Sequence, residues 1–304
     1  MPAKRTILAD LRRLLAGEVR PDEPLSRHTT WRVGGPAEVF VLPAGPRDVA
    51  AVVRYTAPRG IPLTVLGNGS NVLVGDRGVR GVVLRIGAGL AEVEVGEGRI
   101  RAQAGASLCR VAGMALAAGL GGLEFVWGIP ATVGGAIAMN AGANGRAMAD
   151  IVTRVLAVAP NGEQVTLARE DLAFGYRTSV FHAGHFIAVE TDLALVPEER
   201  GHIHRRMKAC LAHRKATQPL EYPSAGSVFK NPGEEAAGRL IELAGGKGLT
   251  IGRAQVSAKH ANFIVNLGGA TAADIYELIN RVRELVYVET GVALELEVKV
   301  LGVW

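Results

Sequence analysis

The sequence has little cysteine, few aromatic residues and no long uncharged apolar segment. Its two cysteines, Cys109 and Cys210, form no CxxC pair, which argues against a disulfide framework or a zinc ribbon. Aromatic residues make up 5% of the chain, too few for the base-stacking platforms of single-stranded nucleic-acid binders. The longest run without charge or strong polarity, Val111 to Leu123, is shorter than the roughly 20 apolar residues of a membrane span. Because the N-terminal segment is amphipathic rather than an apolar signal core, a cytoplasmic protein is expected.

Glycine and small apolar residues are abundant instead. Of 304 residues, 39 are glycine and 48% are hydrophobic, which predicts sizeable cores joined by many tight turns. The formal net charge of +5 favours anionic ligands, but no dense Lys/Arg tail indicates a nucleic-acid binder. The seven histidines lack the spacing of a metal site. No metal, nucleic acid, membrane or obligatory protein partner is therefore expected.

Strand and helix patterns divide the sequence near residue 200 and predict an α+β fold. Alternating strands and helices over 1–80 indicate one lobe, and mostly strand patterns over 81–200 indicate a second. A separate α+β domain is expected over 201–304. Within it, Thr271 caps a helix that runs to Thr290, with Asp274 three residues inward and Gly291 after its end.

Two glycine-rich segments are candidates for a phosphate-binding backbone. Gly67-Asn68-Gly69-Ser70-Asn71 follows a short apolar strand, and its successive N–H groups can form an anion-binding nest. Gly128–Ile137, followed by Asn140-Ala141-Gly142, has few bulky side chains and suits a flat cofactor pressed against the backbone. An ordinary turn and a glycine-rich core crossing are the respective alternatives. Because two such segments, each expected after an apolar strand, occur in one chain, a dinucleotide cofactor is the better interpretation.

Two further positions combine a reactive side chain with suitable neighbours. Arg177 lies among apolar and aromatic residues, so we expect it to be partly buried and either to pair with an acid or to bind an anion. Ser227 is followed closely by Lys230 and Asn231. A hydroxyl donates a proton only where cations stabilise the alkoxide that it leaves, and a capped turn is the alternative interpretation of this segment.

The chain ends in an alternating pattern that predicts a strand over Ala293–Leu301. Alternation would place Glu295 and Glu297 on one face of that strand. Solvation at a sheet edge is the alternative for either carboxylate. Ser257–Asn262 is a further polar cluster, before an expected buried strand.

Together these segments resemble one family, the bacterial UDP-N-acetylenolpyruvoylglucosamine reductases (MurB) of cell-wall precursor synthesis. The matching segments span roughly residues 30 to 300: Thr30–Ala37, Gly67–Asn71, Gly128–Ile137, Tyr176-Arg177, Gly226–Pro232, Lys259–Phe263 and Glu297-Val298. The first two occur more widely among related FAD-binding domains, but the combination is highly specific. The resemblance implies a two-lobed FAD domain of the vanillyl-alcohol-oxidase (PCMH) type over residues 1–200 and a substrate domain over 201–304.

The resemblance also implies a cofactor and a reaction. NADPH would reduce FAD and leave, and reduced flavin would pass a hydride to the terminal carbon of UDP-N-acetylglucosamine enolpyruvate, giving UDP-N-acetylmuramate. The residues implied for binding FAD are Gly67, Asn68, Gly69, Ser70, Asn71, Gly128, Pro130, Thr132, Val133, Gly134, Gly135, Asn140 and Gly142.

The family motif maps onto three catalytic positions. Arg177 and Glu297 would stabilise the enolate-like charge, and Ser227 would protonate the adjacent carbon. Contacts with the diphosphate, sugar and carboxylate are implied for Tyr176, Arg214, Gln218, Lys230, Asn231 and His260.

Three features distinguish this chain within that pattern. Its length after Glu297 matches the shorter subclass, which lacks an inserted tyrosine-bearing substrate loop. Ala131 stands where glycine is common, so the backbone there must accommodate a Cβ. Glu295 competes with Glu297 for the same role.

Two other functions are compatible with an FAD-binding fold. An FAD oxidase would pass electrons to oxygen and often attaches its flavin to His or Cys, and neither glycine-rich segment contains these residues. An FAD-binding sensor or carrier would lack turnover with a nucleotide-sugar.

Overall fold

The computed structural model describes residues 2–182 and 184–304. Its α-helices are α1 (Lys4–Leu14), α2 (Pro46–Thr56), α3 (Leu108–Ala118), α4 (Val133–Ala138), α5 (Arg200–Thr217), α6 (Ala237–Leu243) and α7 (Ala272–Thr290). Its strands are β1 (Glu18–Pro24), β2 (Pro36–Leu42), β3 (Leu63–Leu66), β4 (Val72–Val74), β5 (Val79–Arg85), β6 (Val93–Gly96), β7 (Arg99–Gln103), β8 (Leu120–Gly121), β9 (Gly142–Ala143), β10 (Arg146–Ala147), β11 (Val152–Val158), β12 (Gln164–Ala168), β13 (Ile187–Ala194), β14 (Val196–Pro197), β15 (Thr250–Ile251), β16 (Ala254–Val256), β17 (Ile264–Asn266) and β18 (Lys299–Leu301).

The chain folds into two compact units, each assembled from separate segments. Unit 1 comprises Met1–Pro21, Val39–Asn68 and Gly81–His213, and unit 2 comprises Asp22–Glu38, Gly69–Arg80 and Arg214–Trp304. Unit 2 therefore includes two segments that precede residue 200. The functional division into an FAD domain over 1–200, with lobes over 1–80 and 81–200, and a substrate domain over 201–304 stays a prediction.

Unit 1 contains most of two larger sheets. Four strands follow the order β1-β2-β5-β3, with β3 parallel to β5 and Leu63 opposite Val82. Five antiparallel strands follow the order β12-β11-β13-β7-β6. Helices α2 and α3 bury their apolar faces in the same core, through residues such as Val49 and Val111. Removing this apolar surface from water is the main term that stabilises the unit.

Unit 2 packs α6 and α7 with the antiparallel sheet β15-β16-β17. Trp31 is fully buried in this core, and its indole Nε1 donates to the Ile264 carbonyl oxygen over 2.7 Å. The predicted capping of α7 is confirmed: the Thr271 and Asp274 side chains each accept the other's backbone N–H, and Gly291 follows with φ +72°.

The predicted strand over Ala293–Leu301 is wrong for most of its length. Only Lys299–Leu301 forms a strand, β18, which pairs in parallel with β4. Just before it, the N–H groups of Glu297 and Val298 both donate to the Val228 carbonyl oxygen, over 2.8 and 3.3 Å. Because two consecutive amides share one acceptor, the pairing is irregular at Glu297 and Val298, immediately before β18.

Candidate active site

The two glycine-rich segments meet within unit 1. The Asn68 side-chain Nδ2 donates to the Pro130 carbonyl oxygen over 2.8 Å. A Cβ added at Gly67 would lie 2.7 Å from the Thr132 Oγ1, so the backbone of the first segment passes closer to the second than a side chain allows. The structure therefore brings together the two segments that the sequence singles out.

The second segment presents a surface almost free of side chains. Thr132 caps α4, with its Oγ1 accepting from the Gly135 N–H over 3.3 Å. The N–H groups of Val133 and Gly134 donate to the carbonyl oxygens of Ala106 and Ala104, over 2.9 and 2.7 Å. These two amides are therefore used within the protein and are not open to a ligand.

The expectation of an apolar strand directly before Gly128 is wrong. A short 3₁₀ turn, Glu124–Val126, precedes it. The Trp127 N–H donates to the Glu124 carbonyl oxygen over 3.1 Å, and this i to i+3 bond closes the turn.

The last three residues of the first segment, Gly69–Asn71, belong to unit 2. Gly69 has φ +63°, and a Cβ there would lie 2.0 Å from the His28 carbonyl oxygen. The Thr30 N–H donates to the Gly69 carbonyl oxygen over 3.1 Å, and this bond holds Gly69 against the backbone of residues 28–30. Only glycine satisfies both the conformation and the close approach.

Replacing Gly69 with alanine is expected to weaken FAD binding by roughly tenfold or more, because a left-handed conformation costs a non-glycine residue about 1–2 kcal/mol and the backbone must also shift. FAD retention during dialysis, followed by flavin absorption, measures this effect. Gly87→Ala is the control, since a Cβ there meets nothing within 4 Å. Equal FAD retention in the two variants would contradict a role for the Gly69 backbone.

Arg177 occupies a two-residue turn closed by Gly175 and Thr178. The Gly175 N–H donates to the Thr178 carbonyl oxygen over 3.1 Å, and the Thr178 N–H returns a bond to Gly175 over 3.3 Å. Arg177 has φ +56°, in the left-handed region. Such a conformation costs a non-glycine residue about 1 kcal/mol or more and persists only where the surroundings impose it.

Two polar side chains impose that turn. Asn140 Nδ2 donates to the Gly175 carbonyl oxygen over 2.9 Å, while its Oδ1 accepts from the Ala149 N–H over 2.9 Å. Ser179 Oγ donates to the Ala138 carbonyl oxygen over 3.0 Å. The side chain of Asn140, implied by the resemblance to bind cofactor, thus also holds the backbone next to Arg177.

A cavity of about 400 Å³ opens beside this turn. Tyr176 and Arg177 line it together with residues of the β9–β10 hairpin. Tyr176 is 55% exposed, and the Arg177 guanidinium carbon lies 5.3 Å from the centre of its ring. Unit 1 therefore offers a cation and an aromatic ring at the edge of a ligand-sized cavity, and Arg177 is half-buried as predicted.

Ser227 and Glu297 lie on neighbouring backbone segments of unit 2. Gly226, with φ +77°, precedes Ser227, and Val228 and Phe229 after it are buried. The bonds from Glu297 and Val298 to the Val228 carbonyl oxygen join the two segments directly. The structure thus brings together two of the three predicted catalytic residues within this unit.

The Glu297 backbone is also tied to Asn71. Asn71 Nδ2 donates to the Glu297 carbonyl oxygen over 3.0 Å, and the Lys299 N–H donates to the Asn71 carbonyl oxygen over 3.0 Å. The amide that the resemblance assigns to cofactor binding therefore fixes the segment that carries Glu297.

Glu295 is engaged differently from Glu297. Its side chain is 72% exposed, and its Oε1 lies 2.5 Å from the Lys230 Nζ. Glu297 is half-buried. This exposed ion pair favours Glu297 over Glu295 for the catalytic role, which stays a prediction.

The other predicted substrate contacts in unit 2 lie at ends of helices. The Gln218 N–H donates to the Arg214 carbonyl oxygen at the end of α5, over 2.8 Å. The Gln218 Oε1 is buried, and no donor within 2–182 and 184–304 bonds to it. Asn231 is exposed and its Oδ1 accepts from the Ala237 N–H at the start of α6. An unsatisfied buried acceptor costs about 1–3 kcal/mol, so Gln218 is a natural partner for a ligand or water.

His260 is held in one orientation by its neighbours. Its Nδ1 accepts from the Asn262 N–H over 3.2 Å, and its ring packs against Phe263 with centroids 4.7 Å apart. Burial lowers the pKa of His260, a backbone hydrogen bond opposes this in part, and the charge of Lys247 lowers the pKa by a smaller amount. The ring is therefore neutral near pH 7, with its proton on Nε2.

Acidification is expected to destabilise the protein partly through His260. The unfolded chain binds a proton at this ring near pH 6.5, whereas the folded chain resists protonation. Stability is therefore fully retained above about pH 6.5 and is lost as the pH falls from there to the lowered folded-state pKa. Urea unfolding across this range should show a smaller acid loss in His260→Gln than in the unsubstituted protein. Parallel pH dependences would refute the effect.

Sequence reasoning did not assign a role to Asn262. It is 3% exposed, and its side chain forms two hydrogen bonds with the Phe229 backbone. In the sequence it stood out only as a member of the polar cluster Ser257–Asn262 and of the matching segment Lys259–Phe263, because its partner lies 33 residues away.

The described residues contain neither a cluster of metal-ligand type nor a membrane-spanning helix. No three His, Cys, Asp or Glu side chains in residues 2–182 and 184–304 are grouped as metal ligands are. Over the same residues, no helix combines the length and apolarity needed to cross a membrane.

Comparison with protein families identifies both regions of the chain. A model described as "UDP-N-acetylenolpyruvoylglucosamine reductase, C-terminal domain" matches residues 218–301, and one described as "FAD binding domain" matches residues 37–168. The two matches contain the Ser227 and Glu297 segments and both glycine-rich segments, respectively.

Full-length relatives cover almost the whole chain. The UDP-N-acetylenolpyruvoylglucosamine reductase of Heliobacterium modesticaldum is 47% identical over 296 residues, 97% of this chain and 94% of its own. That of Desulforamulus reducens is 43% identical over 297 residues, 98% of each chain. The crystal structure of UDP-N-acetylenolpyruvylglucosamine reductase (MurB) from Thermus caldophilus matches with TM-score 0.82 and 38% identity, over 94% of this chain and 99% of that one.

A more distant likeness concerns the fold alone. The crystal structure of cholesterol oxidase from B. sterolicum matches with TM-score 0.50 and 17% identity, over 65% of this chain and 39% of that one.

Proposed function

The chain belongs to the UDP-N-acetylenolpyruvoylglucosamine reductase family, and we propose that Arg177, Ser227 and Glu297 are the residues with which it acts on its substrate. The enzyme is an FAD-dependent oxidoreductase, a UDP-N-acetylmuramate dehydrogenase, that uses NADPH in peptidoglycan precursor synthesis for the cell wall. Similarity to curated relatives over 97% of the chain is the observation that carries this function.

The residues of the chain fit FAD. At Gly67 and Gly69 a Cβ would collide with Thr132 and with the His28 carbonyl oxygen, so both positions are restricted to bare backbone, which a cofactor can approach closely. Gly134 and Gly135, which follow the buried Val133, are half-buried and add a surface without side chains that suits a planar ring system. We assign FAD binding to these loops, together with Asn68, Ser70, Asn71, Gly128, Pro130, Thr132, Asn140 and Gly142.

Bound FAD supplies a hydride, received from NADPH, to the terminal carbon of the enolpyruvyl group. Negative charge then collects on the carboxylate side of the former double bond. We assign Arg177 to this charge, because a half-buried guanidinium that is fixed in a held turn is a preorganised anion partner.

Ser227 and Glu297 complete the proposed chemistry. The Ser227 hydroxyl gives its proton to the carbon next to the carboxylate, forming the new C–H bond as its O–H bond breaks. A carboxyl group stabilises an enolate only by donating a hydrogen bond, so the role of Glu297 requires its protonated form. The backbone bond between the two segments, from Glu297 N–H to the Val228 carbonyl oxygen, supports assigning both to one reacting group.

The proposed substrate contacts follow the chemistry of each side chain. Tyr176, Arg214, Gln218, Lys230, Asn231 and His260 are assigned to the diphosphate, the sugar and the carboxylate. The buried Gln218 Oε1 suits a sugar hydroxyl or amide donor, and the neutral His260 offers an Nε2–H donor. Because NADPH and UDP-sugars are cytoplasmic metabolites, the proposal places the enzyme in the cytoplasm.

Isotope labelling tests the assignment of hydride and proton. In deuterium oxide, with unlabelled NADPH, the product should carry one deuterium on the carbon next to the carboxylate, because the Ser227 hydroxyl exchanges with solvent. In ordinary water, NADPH deuterated at its transferable position should leave that carbon unlabelled and should place deuterium only on the methyl carbon, to the extent that the N–H of reduced flavin has not exchanged with solvent. Mass and NMR spectra of the product distinguish these positions, and deuterium from NADPH on the carbon next to the carboxylate would overturn the assignment of hydride and proton.

A further inference from the structure

Asn262 clamps the backbone that follows Ser227. Its Oδ1 accepts from the Phe229 N–H over 2.9 Å, and its Nδ2 donates to the Phe229 carbonyl oxygen over 2.8 Å. Its own carbonyl oxygen accepts from the Val228 N–H over 2.9 Å. One buried residue thus pairs with two consecutive residues as a neighbouring strand would.

Ser227 depends on this clamp for its position. Residues 223–228 form no strand, and Gly226, with φ +77°, leaves the chain before Ser227 with little steric restraint. Within 2–182 and 184–304, Ser227 itself makes no hydrogen bond. Its Cα is therefore located chiefly by Val228 and Phe229, the residues that Asn262 holds.

The opposite side of the same backbone faces Glu297. The Val228 carbonyl oxygen accepts from the Glu297 N–H, while the Val228 N–H donates to Asn262. Asn262 and the Glu297 segment thus bond to Val228 from opposite sides. The bonds from Asn262 therefore fix the position of the Ser227 backbone relative to the Glu297 backbone.

Asn262 is itself rigidly supported. It lies two residues before β17, which pairs with the central strand β16, and its N–H donates to the His260 ring. The sheet, and not the loop that Asn262 holds, therefore determines the position of Asn262.

We propose that Asn262 is a positioning residue for the reaction: it holds Ser227 at the distance and angle from which the hydroxyl protonates the substrate. The proposal rests on the role of Ser227 given above. Because displacements of about 1 Å at a reacting group cost up to roughly 100-fold in rate, loss of the clamp acts on the proton-transfer step.

The two half-reactions separate this role from a general structural one. In Asn262→Ala, reduction of the flavin by NADPH stays within about twofold of the unsubstituted rate, and reoxidation by the enolpyruvyl nucleotide slows roughly 10- to 100-fold. Asn262→Asp keeps the Oδ1 acceptor but replaces the Nδ2 donor with an oxygen that faces the Phe229 carbonyl oxygen. It slows the same half-reaction and replaces the alanine variant if that variant does not retain FAD.

Asn266 provides a matched control. It is 4% exposed, and its side chain makes three hydrogen bonds, to Trp31, Gly268 and Ala270, none of them with the Ser227 segment. At saturating FAD, Asn266→Ala leaves the ratio of the two half-reaction rates unchanged, although it removes three side-chain hydrogen bonds and Asn262→Ala removes only two.

A double variant tests whether Asn262 acts through Ser227. If it does, Ser227→Ala with Asn262→Ala reoxidises no more slowly than Ser227→Ala alone, because the hydroxyl to be positioned is already absent. If reoxidation in the double variant is slowed by the product of the two single effects, the proposal is overturned. Hydrogen exchange gives a readout without turnover: the peptide containing Val228 and Phe229 exchanges faster in Asn262→Ala than in Asn266→Ala.

Failure of this proposal is distinguishable from failure of the proposed function. If Ser227→Ala reoxidises normally, Ser227 is not the proton donor, and the positioning role falls with it. If Ser227→Ala is slow but Asn262→Ala shows no selective loss, or exchange at Val228 and Phe229 is unchanged, only the role of Asn262 is overturned.

Discussion

Ser227→Ala is expected to reoxidise reduced flavin with the enolpyruvyl nucleotide about 10²–10⁴-fold more slowly, the range typical for loss of a general acid. Reduction by NADPH should be unaffected, because no proton from Ser227 is needed in that half-reaction. Anaerobic stopped-flow absorption at flavin wavelengths measures both rates in one preparation.

Ser224→Ala serves as the control for that experiment. Ser224 lies three residues earlier in the same irregular segment and is half-buried like Ser227. It should leave both half-reactions unchanged. Equal losses in the two half-reactions of Ser227→Ala would mean that this side chain shapes the site rather than donating a proton.

Arg177→Ala is expected to lower the rate of substrate reduction by about 10²–10³-fold, equivalent to the roughly 2.7–4 kcal/mol lost with one oxyanion partner. The charge that develops on the substrate carboxylate would then lack its guanidinium. Arg177→Lys keeps the charge but not the planar fork, so it should recover only part of the rate. The turnover number reports the effect, and an unchanged value in Arg177→Ala would reject the role.

The conformation of Arg177 adds a stability test to the same position. Alanine is strained at φ +56° as arginine is, whereas glycine is not. Arg177→Gly should therefore unfold at a higher urea concentration than Arg177→Ala while being equally slow. Such a result would show that the strained backbone conformation persists because the reaction needs the arginine side chain at this position.

Sequence signals were reliable where the determining contacts are local. The α7 cap is set by Thr271 and Asp274 within one turn and by Gly291 after the last, so both ends of the helix could be read directly. The Gly67–Asn71 segment was recognisable because glycine marks close backbone approach, and the structure gives the partners, Thr132 and His28.

The remainder depends on partners that are distant in sequence. Local alternation predicted a strand from Ala293, but the shared acceptor at Val228 breaks the pattern before β18 begins. The parallel pairing of β18 with β4 joins residues more than 200 positions apart, and no local periodicity encodes such a register. Asn262 was overlooked for the same reason, since its function lies in a bond to Phe229.

The most direct test of the assigned reaction is anaerobic mixing of the NADPH-reduced holoenzyme with UDP-N-acetylglucosamine enolpyruvate. We expect flavin absorption to return rapidly and one UDP-N-acetylmuramate to form per flavin. Flavin that stays bleached until oxygen is admitted, with no such product, would contradict the proposed function.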